Sequence, residues 1–303
     1  MVAPSNPTAT SVSHSYGAGT IKRVRATFDE MAVREAFFID YAHRHGPITV
    51  RGLYYQAEVH GMPGIDKTDS GYRKVQAQVL KLRREGRLRY SAIADSSRYM
   101  RKPRTYDGWR DALQDTAQFY RKALWADTDL EVEIWLEKSA LAGVLYPVTA
   151  DYDVPLMCTG GFSSETFAHE AVVRLRGTGR TLIVHALYDF DRSGQDASRS
   201  LREKVERFGR DYDVPVEFRA LGLSADQVQV LALPTRPAKM ATRADQRWPY
   251  DHAAELDAVA PDELRRVVRG AIEEHLPEDQ LEHLKTVEAL EREALFSFLE
   301  GIG

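Results

Sequence analysis

The sequence predicts an α/β protein in two parts, a basic helical module followed by a parallel sheet with helices on its faces. Three observations carry this reading. Between residues 131 and 221, four short apolar runs alternate with stretches of helical pattern, as βαβ units do. Ahead of them lie helix-forming segments with no sheet pattern of that kind. The charge also divides at the same place. Residues 1–125 hold 21 Lys and Arg against 12 Asp and Glu, the remainder 20 against 33, behind a net charge of −4. A basic part joined to an acidic part points to polyanion binding beside metal binding.

The composition is that of a globular chain: 303 residues, 43% hydrophobic and 28% charged, enough for one large domain or two smaller ones. The single Cys158 excludes an intrachain disulfide framework and a cysteine zinc site. No apolar run reaches membrane-span length, and the first twenty residues lack the apolar core of a secretory signal. A cytoplasmic protein with no membrane partner is therefore expected. Residues 1–27, rich in Ser, Thr, Pro and Ala, read as a disordered tail. There is no internal repeat.

Taken in order, residues 27–45 have a helical apolar spacing in Phe28, Met31, Ala32, Ala36, Phe37 and Tyr41, ended by Gly46-Pro47. Thr49 is placed to N-cap a short second helix through Tyr54, Tyr55 and Gln56. Residues 72–85 are strongly helical, with Val75, Val79 and Leu82 as an apolar stripe, cations on the other faces and Gly86 as terminator. Residues 87–93 read as a short strand. Helix, short helix, basic helix and strand is the order of a winged helix, whose later helix enters the DNA major groove. From 73 to 104 there are eleven Lys and Arg and two Asp and Glu, interleaved with Tyr90, Tyr99 and Tyr106. That fits phosphate contact on double-stranded DNA by Arg73, Lys74, Lys81, Arg84, Arg87 and Arg89. The plainer alternative is a solvated helix whose charges keep it in solution.

Residues 111–126 read as a connecting helix, with a domain boundary near 127. Strands are expected at 131–136, 154–158, 181–186 and 214–221, with helices beginning at 139, 165 and 195. The stretch 233–247 is basic and irregular, and two helices, 261–275 and 277–299, close the sequence. Glu137-Lys138 follows the first strand, Gly160-Gly161 the second, and Asp189-Phe190-Asp191 the third. Ligands of open parallel sheets bind beyond such strand ends. A Glu and an Asp-x-Asp pair suit one or two Mg²⁺ ions, which stabilise attacking and leaving oxygens in phosphoryl transfer. Alternatively Asp189 and Asp191 are solvated residues capping the next helix. Glu255 and Asp257 read as a plain helix face, with a further metal pair as the alternative.

Glu137-Lys138, Thr159-Gly160-Gly161 and Asp189-Phe190-Asp191-Arg192-Ser193-Gly194 resemble the toprim domain in order and spacing. Upstream, Thr49-x-Arg51-x-x-Tyr54-Tyr55 resembles the active-site motif of the topoisomerase VI A subunit and the meiotic double-strand-break transesterases. The resemblance spans about residues 30–220, and the chain is similar to the small bacterial or mobile-element relatives called mini-A. It implies a CAP-like winged helix over 28–126, followed over 127–303 by a Rossmann-like toprim sheet with flanking and C-terminal helices. It also implies a nucleoid-associated enzyme, type IIB topoisomerase-like, that cleaves DNA by transesterification.

Carried over by position, Tyr55 is the nucleophile that forms a phosphotyrosyl link, and Tyr54 is a core aromatic. Arg51, one turn before Tyr55, stabilises phosphate charge or lowers the phenol's pKa. Glu137, Asp189 and Asp191 hold Mg²⁺, with Glu137 also serving in proton transfer, and Lys138 touches phosphate. The family builds each site from the tyrosine of one subunit and the metal of the other, so a homodimer is expected. Strand passage would need a separate ATPase partner of the B type. The nearest rival is a toprim nuclease that hydrolyses DNA without a covalent intermediate, as the Wadjet plasmid-defence nucleases do. More distant rivals are a calcium loop, whose twelfth position here is Ser200 rather than Glu, an aspartyl-phosphate phosphatase, and a silent DNA binder.

Overall fold

The computed structural model describes residues 27–94, 103–276 and 278–301. The expected N-terminal tail, Tyr99 and the cations at 98–102 lie outside them. The chain opens with three helices, α1 (Phe28–His45), α2 (Val50–Val59) and α3 (Asp69–Arg84). Each begins where a threonine accepts a hydrogen bond from the first turn: Thr27 from Glu30 N, Thr49 from Gly52 N and Thr68 from Gly71 N. Phe38, Leu53, Val75, Val79 and Leu82 close their common core, whose last members are Leu88, Ala92 and Ile93. The stripe read for α3, Val75, Val79 and Leu82, enters this core, but the face read for α1 does so only in part: Phe28, Ala32 and Ala36 are exposed, and Phe38 and Ala42 are buried beside Tyr41 instead.

The strand expected at 87–93 is not formed. Gly86, at φ +70°, turns the chain after α3, and Tyr90–Ala92 is a 3₁₀ turn. The segment forms one parallel bridge, Ile93 to Ile48 in the turn between α1 and α2. Leu88 and Ile93 are drawn into the helical core, so their burial, rather than strand pairing, decides the backbone here. Helix α4 (Trp109–Phe119) is shorter than expected and packs on the last helix of the chain, while Leu124 and Trp125 join the core of the sheet.

The sheet contains β1 (Leu130–Leu136), β2 (Leu156–Cys158), β3 (Thr181–Leu187) and β4 (Val216–Gly222), all parallel, in the order β2-β1-β3-β4. Their crossovers run through α5 (Ala142–Asp151), α6 (Glu165–Val173) and α7 (Arg192–Tyr212). Alternate residues face opposite layers. Val132, Ile134, Leu136, Ile183 and Leu187 pack with α5, while Trp135, Leu182, Val184 and Ala186 pack with α6 and α7. After β4 come α8 (Ala225–Val230) and a small antiparallel pair, β5 (Arg236–Pro237) and β6 (His252–Ala253). Helices α9 (Pro261–Glu273) and α10 (Glu278–Gly301) follow, as the sequence predicts. Among the described residues no helix is long and apolar enough to cross a membrane.

β1 and β3 are neighbours, yet β1 leads outward to β2 and β3 outward to β4. The strand order therefore reverses between them, which opens a crevice at their carboxyl ends.

The same sheet buries a titratable group. His185 of β3 is 1% exposed, and its Nε2 lies 3.1 Å from that of His275. Burial first, then His275 and Arg219, hold its pKa down to about 4 from an ordinary 6.5. The folded chain keeps this ring neutral, whereas the unfolded chain protonates it below pH 6.5. Its contribution is present above pH 6.5 and is lost as pH falls towards 4, by up to about 3 kcal/mol. Urea denaturation at about pH 7.5 and about pH 5 should show this loss, and His185→Asn should flatten the pH slope.

Candidate active site

Glu137 is the residue after β1, and its N–H donates to Leu187 O at the end of β3, 3.0 Å away. Asp189 lies two residues beyond β3. Its own N–H donates to Glu137 Oε2 at 3.0 Å, so the two strand ends bring these acids together. Asp191 N-caps α7, accepting from Gly194 N at 2.8 Å. The capping role is thus real, and it leaves Asp191 Oδ2 facing the crevice, where Arg236 donates to it at 2.8 Å. Gly194 is required by close approach: a Cβ there would lie 2.6 Å from Asp189 O and 3.2 Å from Glu137 Oε2.

The segment 252–258 completes the cluster, and the helix face expected there is not formed. Phe190 and Ala254 exchange both backbone hydrogen bonds at 2.9 Å, so this segment runs antiparallel to the Asp189-x-Asp191 loop. Leu256 N donates to Asp189 Oδ1 at 2.8 Å. Glu255 and Asp257 therefore enter the crevice. Two acids spaced two apart was the available signal, but only the pairing with Phe190 shows where they point.

Lys138 is placed differently from the phosphate contact expected of it. Its Nζ lies 2.9 Å from Asp189 Oδ2, 3.0 Å from Glu255 Oε2 and 3.1 Å from Asp257 Oδ2. Although burial opposes its charge, these three carboxylates raise its pKa. Among the described residues no three His, Cys, Asp or Glu side chains converge in a metal-ligating group; an ammonium holds the carboxylates instead. Burial raises both Asp189 and Glu137 above the usual carboxylate range, in Asp189 against the pull of Lys138. Burial also desolvates Glu255, but Lys138, Arg51 and Arg236 hold it below that range.

Helix α2 reaches the same cluster. Arg51 Nη1 donates to both oxygens of Glu255, at 3.1 and 3.0 Å. Thr49 Oγ1 donates to Asp257 Oδ1 at 2.6 Å. Tyr54 is buried, its hydroxyl donating to Asp66 O at 2.9 Å, as a core aromatic should. Tyr55 lines a small cavity with Arg51, Tyr72, Arg236 and Glu255. That cavity adjoins the main cleft, of about 720 Å³, which Arg51, Tyr72, Glu137, Asp189, Asp191 and Glu255 line in turn. Burial first, then Glu255, push the Tyr55 phenol up to about 12, with Arg51 and Lys138 pulling the other way.

The basic residues of α3 divide into two groups. Lys81 and Arg87 pair with the buried Glu35 of α1, at 3.0 and 2.6 Å, and Lys74 Nζ donates to Gly64 O at 2.8 Å. Arg73, Arg84 and Arg89 are exposed and form no ion pair among the described residues. Arg83, which sequence reasoning did not single out, lines the cleft with Lys239, and its guanidinium lies 4.3 Å from the Tyr90 ring centre.

Neither a protein-family model nor a curated protein matches the sequence.

Removing the ammonium leaves Asp189 and Asp257 with no ion-pair partner among the described residues, while Glu255 keeps Arg51 and Arg236. Lys138→Ala should lower folding stability by about 3 kcal/mol. A urea midpoint unchanged from wild type would refute the role assigned to this lysine.

Proposed function

We propose that the chain cleaves double-stranded DNA by Mg²⁺-dependent tyrosine transesterification, as a winged-helix and toprim enzyme resembling the topoisomerase VI A subunit. One observation carries the reading. Thr49 and Arg51 of the first motif meet Glu137-Lys138, more than 80 residues away in sequence, and Asp189-x-Asp191 at one cleft, and Tyr55 lines the cavity that adjoins it. The donor chemistry fits a hard divalent cation: oxygen ligands only, at the reversal of a parallel sheet. Five carboxylates line the cleft, and three cations, Arg51, Lys138 and Arg236, pair with them. Arg83 and Lys239 line the cleft as well, so its acids and cations balance in number.

Glu137, Asp189 and Asp191 would hold the ion, once Lys138 and Arg236 release Asp189 and Asp191. Mg²⁺ would supply charge stabilisation at the reacting phosphate. Tyr55 Oη attacks phosphorus, the bond to a deoxyribose oxygen breaks, and that oxygen takes up a proton. Arg51, one turn from Tyr55, neutralises phosphate charge. Glu137, its carboxyl raised by burial, is the group assigned to proton transfer. Arg83 and Lys239 at the cleft, with Arg73 and Arg84 on α3 and Arg89 after it, suit the DNA backbone.

A second reading is hydrolysis by a metal-activated water without a protein adduct. It is favoured by the state of Tyr55, which lines the adjoining cavity rather than the cleft and keeps its phenolic proton up to about pH 12.

Supercoiled plasmid, Mg²⁺ and purified protein, quenched with detergent, separate the two. Transesterification leaves protein on DNA ends, and Tyr55→Phe and Asp189→Ala each lower that adduct roughly 10³-fold or more. Cleavage without an adduct that survives Tyr55→Phe but not Asp189→Ala would replace this reading with the hydrolytic one.

A further inference from the structure

The basic stretch that leaves β5 and returns through β6 keeps cations to spare. Lys239, Arg243 and Arg247 are exposed and form no ion pair among the described residues. The two acids of the stretch are engaged, Asp245 by Arg192 at 2.7 Å and Asp251 by His252 at 2.7 Å. Trp248 and Tyr250 follow these cations. Their ring centres lie 5.0 and 4.9 Å from that of Phe190 and 5.2 Å from each other. The three rings line a cavity of about 310 Å³ at the end of β4, walled also by Gly222, Gln195 and Ser224. Among the described residues no charged side chain lines it. Gln195 Nε2 donates to Asp189 O at 3.1 Å and Leu223 O at 3.2 Å, so its Oε1 stays an acceptor with no partner among the described residues. Ser224 Oγ accepts from Gln227 N at 3.2 Å, and its hydroxyl proton has no acceptor among them. Trp248 also lines a smaller cavity with Asp191, Ser193 and Lys239, and those three line the main cleft as well. A string of cavities thus leads from the cleft to the rings.

We propose that this pocket takes one unpaired nucleobase of a DNA strand, its face on Trp248 and Tyr250 and the neighbouring phosphates on Lys239, Arg243 and Arg247. The inference rests on the reading that the chain acts on DNA, and it holds whether Tyr55 or water does the cutting. Uncharged, largely apolar walls would desolvate a phosphate or a metal ion without repayment. A base is neutral and planar, offers a π-face to the rings, and carries a donor and an acceptor on its edge for Gln195 and Ser224. Cations free of carboxylate partners suit the strand that carries the base. Aromatic stacking beside a basic track binds single strands with little sequence preference. In a perfect duplex each base is paired and stacked, so filling the pocket costs unpairing, and strands already open are favoured.

The test titrates the full chain, in EDTA so that no cleavage occurs, into a single-stranded oligonucleotide carrying one 2-aminopurine and into the same sequence as a perfect duplex. Stacking on the rings should quench the 2-aminopurine emission of the single strand. Tyr250→Ala should remove that quenching and weaken single-strand binding roughly 10-fold, while duplex affinity changes less than about twofold. Tyr250→Phe keeps the ring face and should behave as wild type, which separates lost stacking from a lost fold. Arg243→Ala and Arg247→Ala should each lower the salt slope of single-strand binding by about 0.7. Quenching that survives Tyr250→Ala, or an equal loss on single strand and duplex, overturns the proposal. Plasmid cleavage in Mg²⁺ without quenching in EDTA refutes the pocket and leaves the cleavage reading standing. Quenching without cleavage does the reverse.

Discussion

One ammonium group organises the crevice. Lys138 Nζ lies within 3.1 Å of carboxylates from Asp189, Glu255 and Asp257. These come from the loop after β3 and from the segment beyond β6, while Lys138 itself follows β1. Three carboxylates gathered at a partly buried point repel one another and lose hydration. Only a cation among them lets the chain close there. Glu255 and Asp257 also accept from Arg51 of α2 and from its N-cap Thr49. Sheet, following segment and helical module are thereby joined at a single electrostatic centre.

Backbone geometry makes this centre possible. The Asp189-x-Asp191 loop uses its two acids for different tasks, one turned towards Lys138 and one capping α7. Gly194 lets the first turn of α7 pass against Asp189 and Glu137 without a side chain between. Phe190, between the acids, pairs with Ala254 and packs its ring edge-on against Trp248 and tilted against Tyr250. That apolar anchor, rather than any charge, holds the loop and the 252–258 segment in register. Polar groups in the crevice are thus oriented by packing around them, the condition for a site that keeps its shape before a ligand arrives.

The N-terminal helices put their charge to two uses. Glu35 is buried in α1, and Lys81 and Arg87 satisfy it from α3 and the following turn. Part of the basic character read as a nucleic-acid surface is therefore internal bracing. What remains outward, Arg73, Arg84 and Arg89, together with Arg83 beside the cleft, makes a smaller basic surface than the count of cations implies.

Much of this protein was legible from local pattern. The inner strands β1 and β3 follow from apolar runs buried on both faces, and the start of α2 from its Thr49 cap, because both are properties of neighbouring residues. Glu137, Asp189 and Asp191 stand at strand ends for the same reason. Pattern failed at 87–93, where burial of Leu88 and Ile93 in a helical core outweighed strand propensity. It failed again at Glu255 and Asp257, whose direction depends on pairing with Phe190, some 60 residues earlier in the chain. The sequence by itself determined most of the helices and inner strands and placed Glu137, Asp189 and Asp191 at strand ends, since periodicity and capping act over a few residues. Only the tertiary structure decided that Lys138 turns inward among the acids and that Arg51 pairs with Glu255, since these depend on charges brought together across 117 and 204 residues.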